Sequence, residues 1–381
     1  MRGQAAVAGT KRAHDSSSRS AIETVEAAVY TVPTDQPEAD GTIEWNATTI
    51  VMARVSAAGA EGIGYTYAHP AAALIIDGEL RHALVGGDPL AIPALWSSMY
   101  RCLRNVGCPG VGLMAIAAVD HALWDLKGKL LGRSVVDLLG PCRPAVPVYG
   151  SGGFTSYTVE KLQAQLAGWV DQGIAAVKMK VGTQPARDPA RVHAARQAIG
   201  GEARLMVDAN GAYARKQALA LADAFAAEDV CWFEEPLSAD DLDGLRVMRD
   251  RAPPGMAIAA GEYGWSAGYF RSMLAAGAVD VLQIDATRCG GFTGFLQAAA
   301  VAQGFGIPVS AHCAPYLHAH VCSAVQHLEH VEYFHDHVRI ASMFFDGLPT
   351  LAHGALHVDR SRPGLGIELR AADAERYRVR A

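Results

Sequence analysis

Three short apolar runs in this chain each end abruptly in an acid: LMVDANG at Asp208, WFEEPL at Glu234 and MAIAAGE at Glu262. Each has the length and composition of a strand buried on both faces. Carboxylates gathered at one point repel each other unless a cation joins them, and an all-oxygen set selects a hard ion such as Mg²⁺. One acid at a strand end can simply face solvent, but three in register on consecutive strands argue for a site. Lys178-Met179-Lys180 closes a further apolar run. Residues i and i+2 of a strand share a face, so both ammonium groups point the same way. Buried lysines are rare unless paired. Crowding by each other and by a metal is expected to lower a lysine pKa toward the range of a general base. VLQIDA ends at Asp285 and IPVSAH at His312. A carboxylate bonded to one imidazole nitrogen fixes the tautomer and raises the basicity of the other, which makes this pair a second proton-transfer group. Glu332, in the last apolar run, can hydrogen-bond a substrate oxygen, and Asn210, two residues after Asp208, faces the same side.

These groups need a frame that brings strand ends together. From Val146 the chain alternates regularly between strand and helix patterns. The strand candidates are VPVYGSG, AAVKMKVG, ARLMVDAN, VCWFEEP, MAIAAGE, VDVLQIDA, IPVSAH and HVEYF. Eight strands separated by helices read as a (β/α) barrel, whose strand tips converge on one mouth where active sites sit. About 190 residues is slightly short for a full barrel of ~200–250, so the eighth helix is expected to be poor or missing. The region before it differs. ETVEAAVYTV, TTIVMARVSA and EGIGYTYA alternate like strands of an antiparallel sheet. The stretch between Pro33 and Trp45, polar and carrying Gly41, reads as an exposed mobile loop that gates the site. Helical patterns follow from Ala72 to about Val85, from Asp88 to about Val106 with Asp88 as a possible N-cap, and from Gly112 to Leu131 with Gly132 as its stop. The expected division is a disordered leader over 1–20, an α+β capping domain over 21–142, the barrel over 143–345 and a segment over 346–381 that packs back on the cap.

Composition narrows the class. Half of the 381 residues are hydrophobic, enough for a large core, and a net charge of −6 offers no basic face for nucleic acid. No apolar run approaches the ~18–20 residues that span a bilayer, and the leader has charge but no apolar segment of a secretory signal. Seven cysteines without a CxxC pair read as reduced thiols, which places the protein in the cytoplasm.

The run AIAAVDHALWDLKGKLLGRSVVDLLG, Ala115 to Gly140, resembles the signature helix of the mandelate racemase and muconate lactonizing enzymes of the enolase superfamily. The KxK strand, DAN, FEEP, GE and the Asp-then-His pair extend the resemblance over nearly the whole chain after the leader. Together they are specific, whereas each alone is common. Lys178 and Lys180 with Asp285 and His312 resemble the mandelate racemase subgroup in particular. That resemblance implies that Asp208, Glu234 and Glu262 bind Mg²⁺, that Lys180 is one general base, and that His312 paired with Asp285 is the other acid/base. It further implies that Lys178 and Glu332 contact the substrate carboxylate and that Asn210 lies near its 2-hydroxyl. The implied fold is a modified (β/α)7β TIM-type barrel with an N-terminal α+β capping domain, of α/β class. Its capping loops point to Trp45, Tyr65 and Tyr67 as substrate contacts, and the basic Arg288 offers another. The implied partners are a small-molecule carboxylate and other copies of the chain, with no nucleic acid and no membrane.

One reaction fits this set. A proton next to a carboxylate is very weakly acidic, and removing it requires the enediolate to be stabilised as it forms. A divalent cation with Lys and a carboxylic acid supplies that, and a Lys or His base beside Mg²⁺ is the established pattern of enolase-superfamily sites. Dehydration of an acid sugar to a 2-keto-3-deoxy acid is the first expectation, because the subgroup consists mostly of such dehydratases. Racemisation or epimerisation of a 2-hydroxy acid uses the same residues. A barrel that binds metal and carboxylate without turnover is the remote alternative, since complete base and metal sets gather at working sites.

Overall fold

The computed structural model describes residues 21–379; the leader expected over 1–20 lies outside the described residues. The chain begins with an antiparallel three-stranded sheet of β1 (Thr24–Ala39), β2 (Glu44–Ala57) and β3 (Ala60–Tyr67). The stretch read as an exposed loop is therefore mostly strand. Pro33 still faces Ala47, a bulge follows, and pairing resumes at Glu38 opposite Trp45, so only 40–43 forms the turn. Its tip is exposed only in part: Glu38, Ala39 and Asp40 are buried, whereas Thr42 and Ile43 face solvent. The polar string concealed the strand because its partners are backbone groups of barrel loops rather than an apolar core.

The cap continues through α1 (Ala71–Ile75) and α2 (Arg81–Leu84), joined by a π turn over Ile76–Leu80, then α3 (Ile92–Cys102), α4 (Val111–Leu131) and α5 (Val135–Leu139). Asp88 does not cap α3. It accepts the Leu90 N–H ahead of the helix, which starts at Ile92 with Pro93 in its first turn. Gly132 does end α4, in the left-handed conformation. This helix is apolar on nearly every side because it is enclosed between the cap sheet and the barrel. Gly62 and Gly64 of β3 let it approach closely; a Cβ on either would lie 2.2 Å from a carbonyl oxygen of α4.

The barrel comprises β4 (Val146–Gly152), α6 (Val159–Asp171), β5 (Ala176–Lys180), α7 (Asp188–Ile199), β6 (Arg204–Asp208), α8 (Arg215–Ala226), β7 (Val230–Glu234) and α9 (Leu242–Arg251). It continues with β8 (Ala257–Ala260), α10 (Ala267–Ala275), β9 (Val281–Ile284), α11 (Gly291–Phe305), β10 (Val309–Ala311), α12 (Pro315–Cys322), β11 (Leu328–Phe334) and α13 (His335–Phe344). All eight strands are parallel, and pairing of β11 with β4 closes the ring. The eighth helix is present with ten residues, against the expectation of a poor or missing one; the seventh, with eight, is shorter. The last strand runs into its helix without a loop, and Phe344 at the far end of α13 packs edge-on against Tyr30 of β1.

Period-two alternation carries each strand from a plug to the site. Tyr149, Ala176, Met206, Trp232, Ala259 and Val281 cluster inside the barrel. Two residues further along their strands stand Ser151, Lys178, Asp208, Glu234, Gly261 and Gln283. The intervening residues, such as Val177, Val207, Phe233 and Ala260, belong to the core shared with the outer helices. After the barrel, β13 (Thr350–Ala352) and β14 (Ala355–His357) form a hairpin that pairs with the start of β4, and β12 (Phe345–Asp346) pairs with β15 (Glu368–Leu369). The remaining tail meets the cap, where Arg378 bridges to Tyr30 and the Leu365 N–H bonds Asp125.

Candidate active site

Asp208, Glu234 and Glu262 are buried at consecutive strand tips, and each offers a carboxylate oxygen within 4.8 Å of the others. Lys178 Nζ lies 2.7 Å from both oxygens of Glu234 and 2.9 Å from Glu332 Oε1. Lys180 Nζ donates to Asp208 at 2.5 Å and to Asn210 Oδ1 at 3.1 Å. Across the mouth, His312 Nδ1 is 2.8 Å from Asp285 Oδ2, and its Nε2 is 3.2 Å from Glu262 Oε2. Arg288 donates to Glu262 Oε1 at 3.0 Å and lies 3.6 Å from Asp285. Glu332 accepts from Ser151 Oγ at 2.5 Å and from the Cys313 N–H at 2.8 Å.

The charges are interlocked. Burial pushes the Glu234 carboxyl well above the usual carboxylate range and Asp208 beside it adds to that, although Lys178 opposes both. Glu332 is the reverse case: burial is overcome by Lys178 and His312, which hold it well below that range. Burial is likewise overcome at Asp285 by the hydrogen bond and charge of His312, and at Asp208 by Lys180 and Lys178. The expected lowering of a lysine pKa is not found. Burial alone would lower both, but Glu234 and Glu332 hold Lys178 above its ordinary value, and Asp208 holds Lys180 there. Each lysine thus stands as counter-ion to the acids beside it, Lys178 to Glu234 and Glu332 and Lys180 to Asp208.

The donor set fits Mg²⁺. Three buried carboxylates converge, all ligands are oxygen, and a fourth acid stands behind them. That acid is Glu235, whose Oε1 is buried without a hydrogen-bond partner and whose carboxyl is pushed well above its usual range by burial and then by Glu262 and Asp208. Sequence reasoning passed over Glu235 because strand alternation turns it outward; a left-handed backbone at φ 37° turns it back.

A cavity of about 500 Å³ opens above these groups. Lys180, Asn210, Glu262, Asp285, Arg288 and His312 reach it from the barrel, and Trp45 and Tyr67 from the cap. Trp45 is held by Glu38 Oε2 at 2.9 Å. Lys178 lies beneath the floor, fully buried. Tyr65 is a correction: it does not line the cavity but lies in the core, stacked on Phe345 at 5.2 Å, with its hydroxyl pKa raised by burial. Its strand position, two before Tyr67, put it on the same face but nearer the sheet centre. Cys313 and His337 also line the cavity and were not foreseen. His318, one of the many histidines near His312, braces the site from behind: its Nε2 accepts the Ala286 N–H at 2.9 Å and its Nδ1 meets the Cys313 carbonyl at 2.8 Å.

A parallel barrel with buried acids, lysines and an Asp–His pair at its C-terminal mouth defines a metal-dependent barrel enzyme. Residues 20–140 match the family model described as mandelate racemase / muconate lactonizing enzyme, N-terminal domain, and residues 161–374 match that described as enolase C-terminal domain-like. The chain belongs to the mandelate racemase/muconate lactonizing enzyme family of the enolase superfamily. A mandelate racemase/muconate lactonizing enzyme-like protein from Rubrobacter xylanophilus is 50% identical, with a TM-score of 0.92 over 94% of this chain and 100% of that one. The 3,6-anhydro-alpha-L-galactonate cycloisomerase of Streptomyces coelicolor is 36% identical over 280 residues, 72% of this chain and 77% of its own. The L-talarate/galactarate dehydratase of Salmonella typhimurium, in a structure liganded with Mg and L-lyxarohydroxamate, is 28% identical, with a TM-score of 0.88 over 100% of this chain and 98% of that one.

Proposed function

We propose that the protein is a Mg²⁺-dependent acid-sugar dehydratase that works by removing the proton next to the substrate carboxylate. The observation that carries this reading is the placement of Lys180 and of the His312–Asp285 pair on opposite strands of one mouth, with three buried acids between them. Asp208, Glu234 and Glu262 would hold Mg²⁺, which when bound would supply positive charge to the substrate carboxylate. Lys180, its own proton first released to solvent, takes the α-proton as the neutral amine. His312, oriented by Asp285, delivers a proton to the departing 3-hydroxyl, which leaves as water. The enol that remains becomes the 2-keto-3-deoxy acid. Glu332 and Lys178 fix the electrostatics of the floor, Asn210 positions Lys180, and Trp45 and Tyr67 keep water from the mouth.

The test is a panel of acid sugars with Mg²⁺ in D₂O. The expected result is a 2-keto product that has lost one water and carries deuterium at C3, where the enol takes up its new proton. No 2-keto product from any acid sugar would overturn the reading. The cycloisomerase relative favours a second one, in which the leaving oxygen stays tethered and product and substrate have equal mass. A cytoplasmic homo-oligomer belongs to the same proposal. The compartment rests on seven free cysteines. No helix among the described residues is long and apolar enough to cross a membrane.

A further inference from the structure

His337, the third residue of α13, faces the cavity from beyond the metal-binding acids. Its ring stacks on Tyr67 at 3.4 Å with planes 6° apart, and Phe334 closes its edge at 5.0 Å. Its Nδ1 is 3.1 Å from the Ala314 N–H. A backbone N–H only donates, so Nδ1 is the acceptor and the ring proton sits on Nε2. Burial pushes this histidine down to about 3, so it stays neutral at any ordinary pH. The ring is thus a fixed, uncharged donor.

Among the described residues, the rest of the cap side brings no lysine or arginine to the cavity. Among the described residues lining the cavity, the lysine and arginine side chains are Lys180 and Arg288. Both belong to the barrel wall and are paired there, Lys180 with Asp208 at 2.5 Å and Arg288 with Glu262 at 3.0 Å. His69, on the cap side, is exposed and accepts the Ala71 N–H at its Nδ1. Asp40 adds a carboxylate at the hairpin tip.

We propose that the end of the substrate remote from the reacting carboxylate is uncharged and hydroxylated, and that His337 Nε2–H donates a hydrogen bond to one of its hydroxyls. This rests on the α-proton chemistry proposed above and narrows it to a class: monocarboxylate acid sugars, open-chain or internally cyclised, rather than dicarboxylates. On the cap side a second carboxylate would lose its hydration beside an acid, Asp40, with no lysine or arginine among the described lining residues there to receive it. His337 is a specificity residue in this scheme, with no part in proton transfer.

The experiment uses the Mg²⁺-loaded enzyme and measures formation of the 2-keto product from matched pairs of aldonates and aldarates of the same chain length and configuration. Aldonates are expected to show kcat/KM higher by roughly tenfold or more. His337→Phe keeps the stack on Tyr67 but removes the donor. It should raise KM for the best aldonate by roughly tenfold, the scale of one hydrogen bond, with kcat changed less, and His337→Gln should restore part of the loss. Within a series of monodeoxy analogues, one should be insensitive to the Phe substitution. Faster turnover of aldarates would overturn the inference and leave the α-proton chemistry standing. Turnover of neither class would overturn both. An unchanged KM in a folded His337→Phe enzyme would remove His337 from the assignment whatever the substrate.

Discussion

In the proposed chemistry Lys180 accepts a proton only once Asp208 no longer holds the one it has, which ties the base to the acid beside it. Replacing Lys180 with Ala, or His312 with Asn, should lower turnover by roughly 10²–10⁴-fold and leave Mg²⁺ affinity within a few-fold, as measured by steady-state kinetics and calorimetry. Retention of full turnover in both would show that the pair is misassigned. Glu234→Gln should weaken Mg²⁺ by roughly tenfold or more. In metal-free protein it should leave the thermal midpoint unchanged or raise it, because burial and Asp208 already disfavour the charged carboxyl. Unchanged Mg²⁺ affinity would remove the metal assignment. These residues were legible because strand ends can be read from the sequence and the acids, lysines and histidine end strands. Cys313, Glu235 and His337 were not. The first two depend on left-handed backbone at φ 53° and 37°, which turns a side chain against the strand period. His337 reaches the mouth only because the eighth strand passes into its helix without a loop.

The hairpin of β1 and β2 acts as a clamp. Its tip is tied to two barrel loops: the Thr155 N–H bonds the Ala39 carbonyl at 2.8 Å, and Thr183 Oγ1 bonds the Asp40 carbonyl at 2.7 Å. Gly41 lies so close that a Cβ there would stand 2.2 Å from the Ala209 carbonyl oxygen, one residue from the Asp208 tip. Gly41→Ala should therefore lift the tip, at a cost of roughly 1–3 kcal/mol, as for other overpacked contacts. Hydrogen exchange over 38–45 should accelerate and kcat/KM should fall, because Trp45 follows the tip and water enters the mouth. Unaltered exchange and kinetics would mean that the contact at Gly41 does not close the site. The eight barrel strands could be located from apolar runs because each packs on both faces. This hairpin could not, since what holds its tip is barrel backbone, which leaves no apolar period to read.

At the scale of the whole molecule, α4 is the strut between cap and barrel, and its buried polar residues are the fastenings. Asp125 accepts the Ile63 N–H at 2.7 Å, His121 Nδ1 meets the Tyr65 carbonyl at 3.0 Å, and Trp124 Nε1 donates to Thr293 Oγ1 at 3.2 Å. Asp120 accepts the Thr293 N–H at 3.0 Å and its hydroxyl at 2.7 Å, so a cap residue closes the first turn of barrel helix α11. The signature run was recognisable from these residues, but their partners, far away in the chain, were not. Burial pushes the Asp120 carboxyl up to about 7 from 3.8, against the pull of the Thr293 hydrogen bonds. Below the lower value both folded and unfolded chains hold the proton. Between the two values the unfolded chain has released it and the native protein keeps it, so stability falls as pH rises through that window. Above about 7 the full penalty is present. Asp120→Asn keeps an acceptor for one Thr293 bond and does not titrate. Relative to the wild type, the variant should therefore gain roughly 1–4 kcal/mol between pH 5 and pH 8, as measured by urea unfolding of both proteins at each pH. Other titrating groups are common to the pair and cancel in the difference. A difference that stays constant across this range would mean that Asp120 is already ionised at pH 5, and that the helix amides of α11 hold it as an anion between cap and barrel.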